Sequence, residues 1–357
     1  IAEYYRATGD RPFLEKMWPH VAAAVGYIDS LRQTRRTAAF TEGPSRRFYG
    51  LMPPSISHEG YSAKPVHSYW DDFFVLRGLT DAADLARTLG RDAPRYARIR
   101  DEFRHDLHQS IRATISADSL DYIPASADLG DYDPTSTSIG ITPGGQADSL
   151  PQEILQHTYR RYLREVHARQ DSTGWEAYTP YEFRNVGALV QMGFRAEAWD
   201  LLQILFTGHR PAGWNQWPEV VWRDSTAPKF LGDLPHTWVG SDYVRSLLDM
   251  LAYVRTADGA VVIGAGIPSA WVTDPPGVVI RDLPIGQGRL NITLSAQASA
   301  MTVKLSGTLS VPSGGIIVYA PFDWNANSAR VNGSTDQLRP DGSVLVKQMP
   351  AEVVFGR

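Results

Sequence analysis

The apolar residues of this chain change their period near Thr256, and that change constrains the fold more than any other feature. From Pro12 onward Leu14, Met17, Trp18, Val21, Val25, Ile28 and Leu31 follow the spacing that lines one stripe of an α-helix. Phe73, Leu76, Leu79, Ala83 and Leu85 repeat it between Val66 and Gly90, and further helical segments fall near 1–7, 94–115, 151–168, 181–193, 195–207 and 239–254. Beyond Thr256 the pattern alternates: Leu290-Asn291-Ile292-Thr293-Leu294, then Met301-Thr302-Val303-Lys304-Leu305, then the apolar run Ile316-Ile317-Val318-Tyr319. A period of two buries one face of a strand. The expectation is a mainly α domain over 1–256 followed by a small antiparallel β-sandwich over 257–357.

Three stretches, 36–65, 118–150 and 208–235, follow neither period and are rich in Gly, Pro, Ser and Asp. Long loops inside a compact domain are usually functional. Alternating with helix pairs, they predict a helical-hairpin toroid whose loops meet at one end. No short sequence repeat stands out.

With 357 residues the chain can form one large domain or two ordinary ones, and 43% hydrophobic against 21% charged residues is ordinary for a soluble protein. A net charge of -4 gives no reason to expect nucleic acid or an anionic membrane as partner. No apolar run approaches the roughly 20 residues that cross a bilayer. Cysteine is absent, so disulfides and thiolate chemistry are excluded. That suits a bacterial secreted or periplasmic protein as well as a cytosolic one; the extracellular or periplasmic setting is the expectation. The first residues carry no signal-peptide pattern, and Ile1 opens inside a helical pattern, so a mature product or a piece of something longer is the expectation. The sequence sets no oligomeric state.

Acids and aromatics are concentrated in two distant places. One holds Ser57-His58-Glu59-Gly60-Tyr61 and Tyr69-Trp70-Asp71-Asp72-Phe73; the other holds Trp214-Asn215-Gln216-Trp217-Pro218-Glu219 and His236-Thr237-Trp238-Val239-Gly240-Ser241-Asp242. Flat rings stack on the apolar faces of a pyranose. Carboxylates bond sugar hydroxyls and move protons at the glycosidic oxygen. The pattern predicts a carbohydrate-active enzyme with a carbohydrate as its partner. No His-Glu-x-x-His, dinucleotide-type glycine fingerprint, Walker loop or Gly-x-Ser-x-Gly elbow is present, so neither a metal nor a cofactor is expected.

The run Tyr5-x-x-Thr8-Gly9-Asp10-x-x-Phe13-Leu14-x-x-x-Trp18-Pro19 resembles a hairpin of the six-hairpin glycosidases, which include trehalases, glycoside hydrolase family 63 enzymes, rhamnosidases and glucoamylases. Trp70-Asp71 resembles their sugar-binding Trp-Asp motifs, Trp217-Pro218-Glu219 their segment that carries a catalytic carboxylate, and Trp238-Val239-Gly240-Ser241 the start of their last barrel helix. Thr179-Pro180-Tyr181-Glu182-Phe183 also fits. The resemblance spans about residues 1–256 and implies an (α/α)6 toroid and an inverting glycoside hydrolase. The chain offers fewer helices than a complete toroid, which implies missing N-terminal hairpins. The Glu59 segment matches the acidic loop of those enzymes only loosely.

On this resemblance Glu219 is expected as general base and Glu59 as general acid, with Asp71 and Asp72 as the alternative acids. The start of a helix favours an ionised carboxylate, so Asp71 suits sugar hydroxyls better than proton donation. Lys64 and His67, flanking that helix, are candidate substrate contacts, as are Trp70, Trp214, Trp217, Trp222, His236 and Trp238. Asp131 and Asp133 read as turn and cap residues before they read as hydroxyl or Ca²⁺ ligands, Glu182 and Arg184 as salt-bridge formers, and Trp271 and Trp324 as packing residues. Two further readings stand open. One is a polysaccharide lyase, for which His58, Tyr61 and Arg184 supply the residue types, or a phosphorylase. The other is a non-catalytic carbohydrate-binding protein.

Overall fold

The computed structural model describes residues 1–57, 60–229, 233–286 and 288–357. The chain divides into two compact units, Ile1–Glu165 and Val166–Arg357. No helix among the described residues is long and apolar enough to cross a membrane.

The first unit is helical. Helix α1 (Ala2–Thr8) stops at Gly9, whose left-handed φ of 69° turns its N–H back onto the Tyr5 carbonyl. Helix α2 (Arg11–Gln33) starts where the Asp10 side chain accepts the Phe13 N–H, with Pro12 in the first turn. Its end leads into 3₁₀ turns at Ala38–Phe40 and Gly43–Phe48. Helices α3 (Tyr69–Thr88) and α4 (Ala93–Asp118) pack as a pair, and Asp92 caps the second of them by accepting the Arg95 N–H. The α3 start is three residues later than the apolar pattern predicts, so Lys64 and His67 precede the helix.

The stretch 118–150 is not all loop: it contains helix α5 (Pro134–Ile141). The sequence hides it because all but Thr135 of its residues are buried, and a helix covered on all sides has no amphipathic stripe to detect. Asp133 makes the start by accepting the N–H and hydroxyl of Thr135 and the hydroxyl of Ser136. Gly140 is required for packing, since a Cβ there would lie 2.8 Å from the Phe73 ring of α3. Helix α6 (Gln152–Asp171) follows, and the division between the two units falls within it.

The second unit begins with a two-stranded ribbon, β1 (Ala177–Tyr178) against β2 (Val221–Trp222), with Tyr178 opposite Val221. Between these strands lie a 3₁₀ turn at Pro180–Glu182, helix α7 (Phe183–Gln191) and helix α8 (Arg195–Phe206). Helix α7 is buried from Phe183 to Val190. Helix α9 (Thr237–Leu251) packs on it, and Ser246 donates its hydroxyl to the Phe183 carbonyl at 2.6 Å. The expected run of helix to 254 ends at Leu251, because Ala252–Val254 forms strand β3.

Strands then dominate: β4 (Val261–Ile263), a short helix α10 (Ala270–Thr273), β5 (Val278–Pro284), β6 (Arg289–Gln297), β7 (Ala300–Gly307), β8 (Ile316–Tyr319), β9 (Ser328–Val331), β10 (Ser334–Asp336), β11 (Ser343–Val346) and β12 (Ala351–Gly356). They form a six-stranded sheet, β10-β9-β12-β7-β6-β5, and a four-stranded one, β11-β8-β4-β3. Leu290, Ile292 and Leu294 of β6, Val303 of β7, Val318 of β8 and Val344 of β11 are buried in one core shared by both sheets, with Trp324 inside it. One pair departs from the antiparallel expectation: β4 and β8 run parallel, with Val262 opposite Ile317. A parallel pair needs a long crossover, and the chain from β5 to β7, strands of the other sheet, supplies it.

Candidate functional site

The sequence-predicted residues divide between the units. Lys64, His67, Trp70 and Asp71 lie in the first; Trp214, Trp217, Glu219, His236 and Trp238 lie in the second. Glu59, and His58 beside it, fall outside the described residues.

In the second unit the ribbon of β1 and β2 fixes the Glu219 loop. Directly after β1 the Thr179 hydroxyl donates to the Glu219 carbonyl at 3.1 Å, and the same hydroxyl accepts the Tyr181 N–H to start the 3₁₀ turn. The half-buried Glu219 lies near Tyr181, and its charge acts on the phenol. His236 caps α9, its Nδ1 accepting the Val239 N–H at 3.4 Å. A neutral imidazole whose Nδ1 accepts carries its proton on Nε2. Nε2 stands 3.4 Å from the Tyr181 oxygen. The N–H of His236 is thus directed at Tyr181. Burial first, and then the Glu219 charge, raise the Tyr181 pKa, so the phenol stays protonated near neutrality.

Aromatic rings surround this chain of groups. Tyr181 meets Trp238 edge to face with centroids 5.2 Å apart, and Trp238 is 40% exposed, leaving ring surface open to solvent. The Arg184 guanidinium lies over Tyr181 at 4.8 Å and over Trp238 at 5.7 Å. It is held by Asp242, which accepts from Nε at 3.0 Å and from Nη2 at 2.7 Å. Burial keeps the Asp242 carboxyl above the usual aspartate range against the pull of Arg184. Glu182 is bound by Arg169 through two hydrogen bonds of 2.7 and 2.8 Å. Both Glu182 and Arg184 are therefore in salt bridges, each with a partner far away in sequence.

Trp217 is placed differently. It is buried, donates its indole N–H to the Leu205 carbonyl at 2.9 Å, and packs among Phe183, Phe206, His209 and Tyr243. Trp214, on a 3₁₀ turn, is 63% exposed. Trp222 has the Lys229 ammonium over its ring at 5.1 Å.

In the first unit Asp71 and Asp72 sit in the first turn of α3 with opposite surroundings. Asp71 accepts the hydroxyls of Ser55 and, at 2.9 Å, Ser57. Asp72 is wholly buried and accepts the Met52 N–H at 3.0 Å; burial drives its pKa well up. Trp70 packs edge to face on Phe74. Lys64 is exposed. His67 is buried, stacked on Phe48 with centroids 4.4 Å apart, and bonded to Asp128 at 3.0 Å and Arg35 at 3.3 Å. Asp131 accepts from Tyr61 at 2.7 Å and from Ser126 at 2.6 Å. Among the described residues no group of three or more His, Cys, Asp or Glu side chains is arranged to hold a metal ion.

The structure thus brings Glu219, His236 and Trp238 together around Tyr181, and sets Trp217 in the packing behind Phe183. Sequence reasoning did not assign a role to Tyr181. The Thr179-Pro180 turn before it was visible, but its contacts with Glu219 and His236 join three separate loops.

No family profile matches the chain, and no curated protein does. Among solved structures it is similar to the crystal structure of Streptomyces avermitilis alpha-L-rhamnosidase complexed with L-rhamnose, with a TM-score of 0.51 and 15% identity. The likeness covers 99% of this chain and 32% of that one. It is a likeness of fold: a coarse rhamnosidase-like glycosidase fold, helices followed by sheets.

Proposed function

We propose that this chain acts as a glycoside hydrolase on an oligo- or polysaccharide, by inversion, with Glu219 as general base and Glu59 as general acid. The observation that carries the reading is Glu219 placed near Tyr181, with His236 and the open Trp238 ring against the same phenol, in a chain of rhamnosidase-like fold. A base must hold water and then accept its proton, and Glu219 beside the Tyr181 phenol is in reach of such a water in this reading. Trp238 and the exposed Trp214 offer rings to a sugar, and Trp70, Asp71 and Lys64 are further substrate contacts in this reading. An inverting pair stands about 6.5–9.5 Å apart, leaving room for the water. The helices are read as part of an (α/α)6 toroid. An extracellular or periplasmic setting in a bacterium suits an enzyme whose polymer cannot enter a cell.

The test is product release from aryl glycosides, α-L-rhamnosides first, and from plant and microbial polysaccharides. The Glu219→Gln variant should be at least about 100-fold slower than wild type, and the first anomeric proton signal should show inverted configuration. Retained configuration, or an unimpaired variant, would overturn the assignment. A second reading, β-elimination from a uronate, has the Tyr181–His236 contact in its favour, since a lyase uses such a pair as its base. Arg184, already committed to Asp242, speaks against it. The ultraviolet absorbance of an unsaturated uronate end, lost in Tyr181→Phe, would mark that reaction.

A further inference from the structure

The first unit contains a cavity of about 430 Å³ between the two 3₁₀ turns after α2 and helix α4. That volume is within the range of small-molecule sites. Arg46 and Arg112 line it, both exposed, and among the described residues neither forms an ion pair; Arg112 donates weakly to the His108 carbonyl at 3.4 Å. The buried Asp106 at the lining does not cancel them, because Arg36 at 3.1 Å and Arg32 at 3.7 Å already face it. Arg32 and Arg36 are shared by Asp29, Glu102 and Asp106, two cations for three anions. Arg46 and Arg112 are thus the two lining cations that no carboxylate pairs among the described residues. Phe40 and Tyr49 wall it, and Gln109 and Thr41 present an amide and a hydroxyl.

We infer that this cavity is a binding site for a sugar acid: a carboxylate held by Arg46 and Arg112, ring hydroxyls by Gln109 and Thr41, and the ring's C–H face against Phe40 and Tyr49. Guanidinium forks match carboxylates, and aromatic walls suit pyranose faces. The lining belongs wholly to the first unit and does not include Glu219, so the inference goes beyond the hydrolase reading.

The probe is glucuronate, followed by calorimetry and by chemical-shift titration of the full chain. Saturable binding is expected, weakened tenfold or more in the Arg46→Ala/Arg112→Ala double variant, weakened by salt, and unchanged in Glu219→Gln. Glucose, lacking the carboxylate, should not bind. Should the double variant unfold, Thr41→Ala/Gln109→Ala reads the same cavity through its hydroxyl contacts and should weaken glucuronate. No saturable glucuronate binding, binding indifferent to these substitutions, or equal affinity for glucose or for inorganic phosphate would each overturn the proposal. Because the readout is binding, the hydrolase reading can fail while this one stands, and the reverse.

Discussion

Two histidines, one in each unit, lie in similar acidic and aromatic stretches of sequence, and the fold uses them in opposite ways. His67 is 6% exposed, stacked on Phe48, with Nδ1 bonded to Asp128 and Nε2 accepting from Arg35. Both ring nitrogens are occupied from within the protein. His236 uses one nitrogen to cap α9 and directs the other at Tyr181, next to the open Trp238 ring. A buried, fully partnered imidazole is structural because moving it would strand its partners. A half-buried one that contacts a phenol beside an open ring can respond to a ligand. Asp72 and Asp71 repeat the contrast within one helix turn, the first sealed against Met52 and the second bonded to serine hydroxyls.

The comparison can be broken by experiment. The largest expected effect is on Arg184→Ala, which leaves Asp242 charged and buried beside Tyr181; losing one partner of such a pair costs about 3–5 kcal/mol, read as a fall in the denaturant midpoint. A change near zero would mean that the pair is well solvated. Next, His67→Ala should cost about 1–3 kcal/mol of stability through the stranded Asp128 and Arg35. His236→Ala should leave stability within about 1 kcal/mol, the usual value of one cap, while lowering product release. Equal stability losses for both would erase the distinction between them.

The smallest effect is a pH dependence. Burial raises the folded pKa of Asp72 above its unfolded value. Its contribution is therefore favourable below the unfolded pKa and is lost as pH rises through the folded one. Asp72→Asn, which keeps an acceptor for the Met52 N–H, should be more stable than wild type near neutrality. That advantage should shrink as pH falls toward about 4. A constant difference across pH would show that Asp72 is not titrating with folding. In the opposite sense, hydrogen bonds from His67 outweigh burial and hold Asp128 below its usual range, so that contribution is lost as pH falls through the folded pKa.

Much of the fold was legible from the sequence. The stripe from Leu14 to Leu31 falls inside α2, and the alternation at 290–294 and 301–305 falls inside β6 and β7 with those apolar residues buried. Asp133 acts as the cap that its reading suggested. Helix α5 was not legible, because a buried Ser- and Thr-rich helix has no polar face to set a period. Of the candidate site, the residue types around Glu219 and His236 were visible, whereas the difference between Trp217, packed against Phe183, and Trp238, open to solvent, was not. Identical indoles in similar local sequence carry no mark of which face the rest of the chain will cover.

The sequence by itself determined that helices come first and strands after, the approximate place of most helices, and that acids and indoles are concentrated in a few loops. These are properties of residues within a turn or two of one another, set by period, capping and backbone preference. Only the tertiary structure decided which of those side chains meet. Tyr181 comes to lie near both Glu219 and His236 because a two-stranded ribbon and a helix cap bring three loops together, and His67 is sealed because Phe48, Asp128 and Arg35 arrive from three others. Contacts between residues distant in the chain depend on how whole elements pack, and no local pattern encodes them.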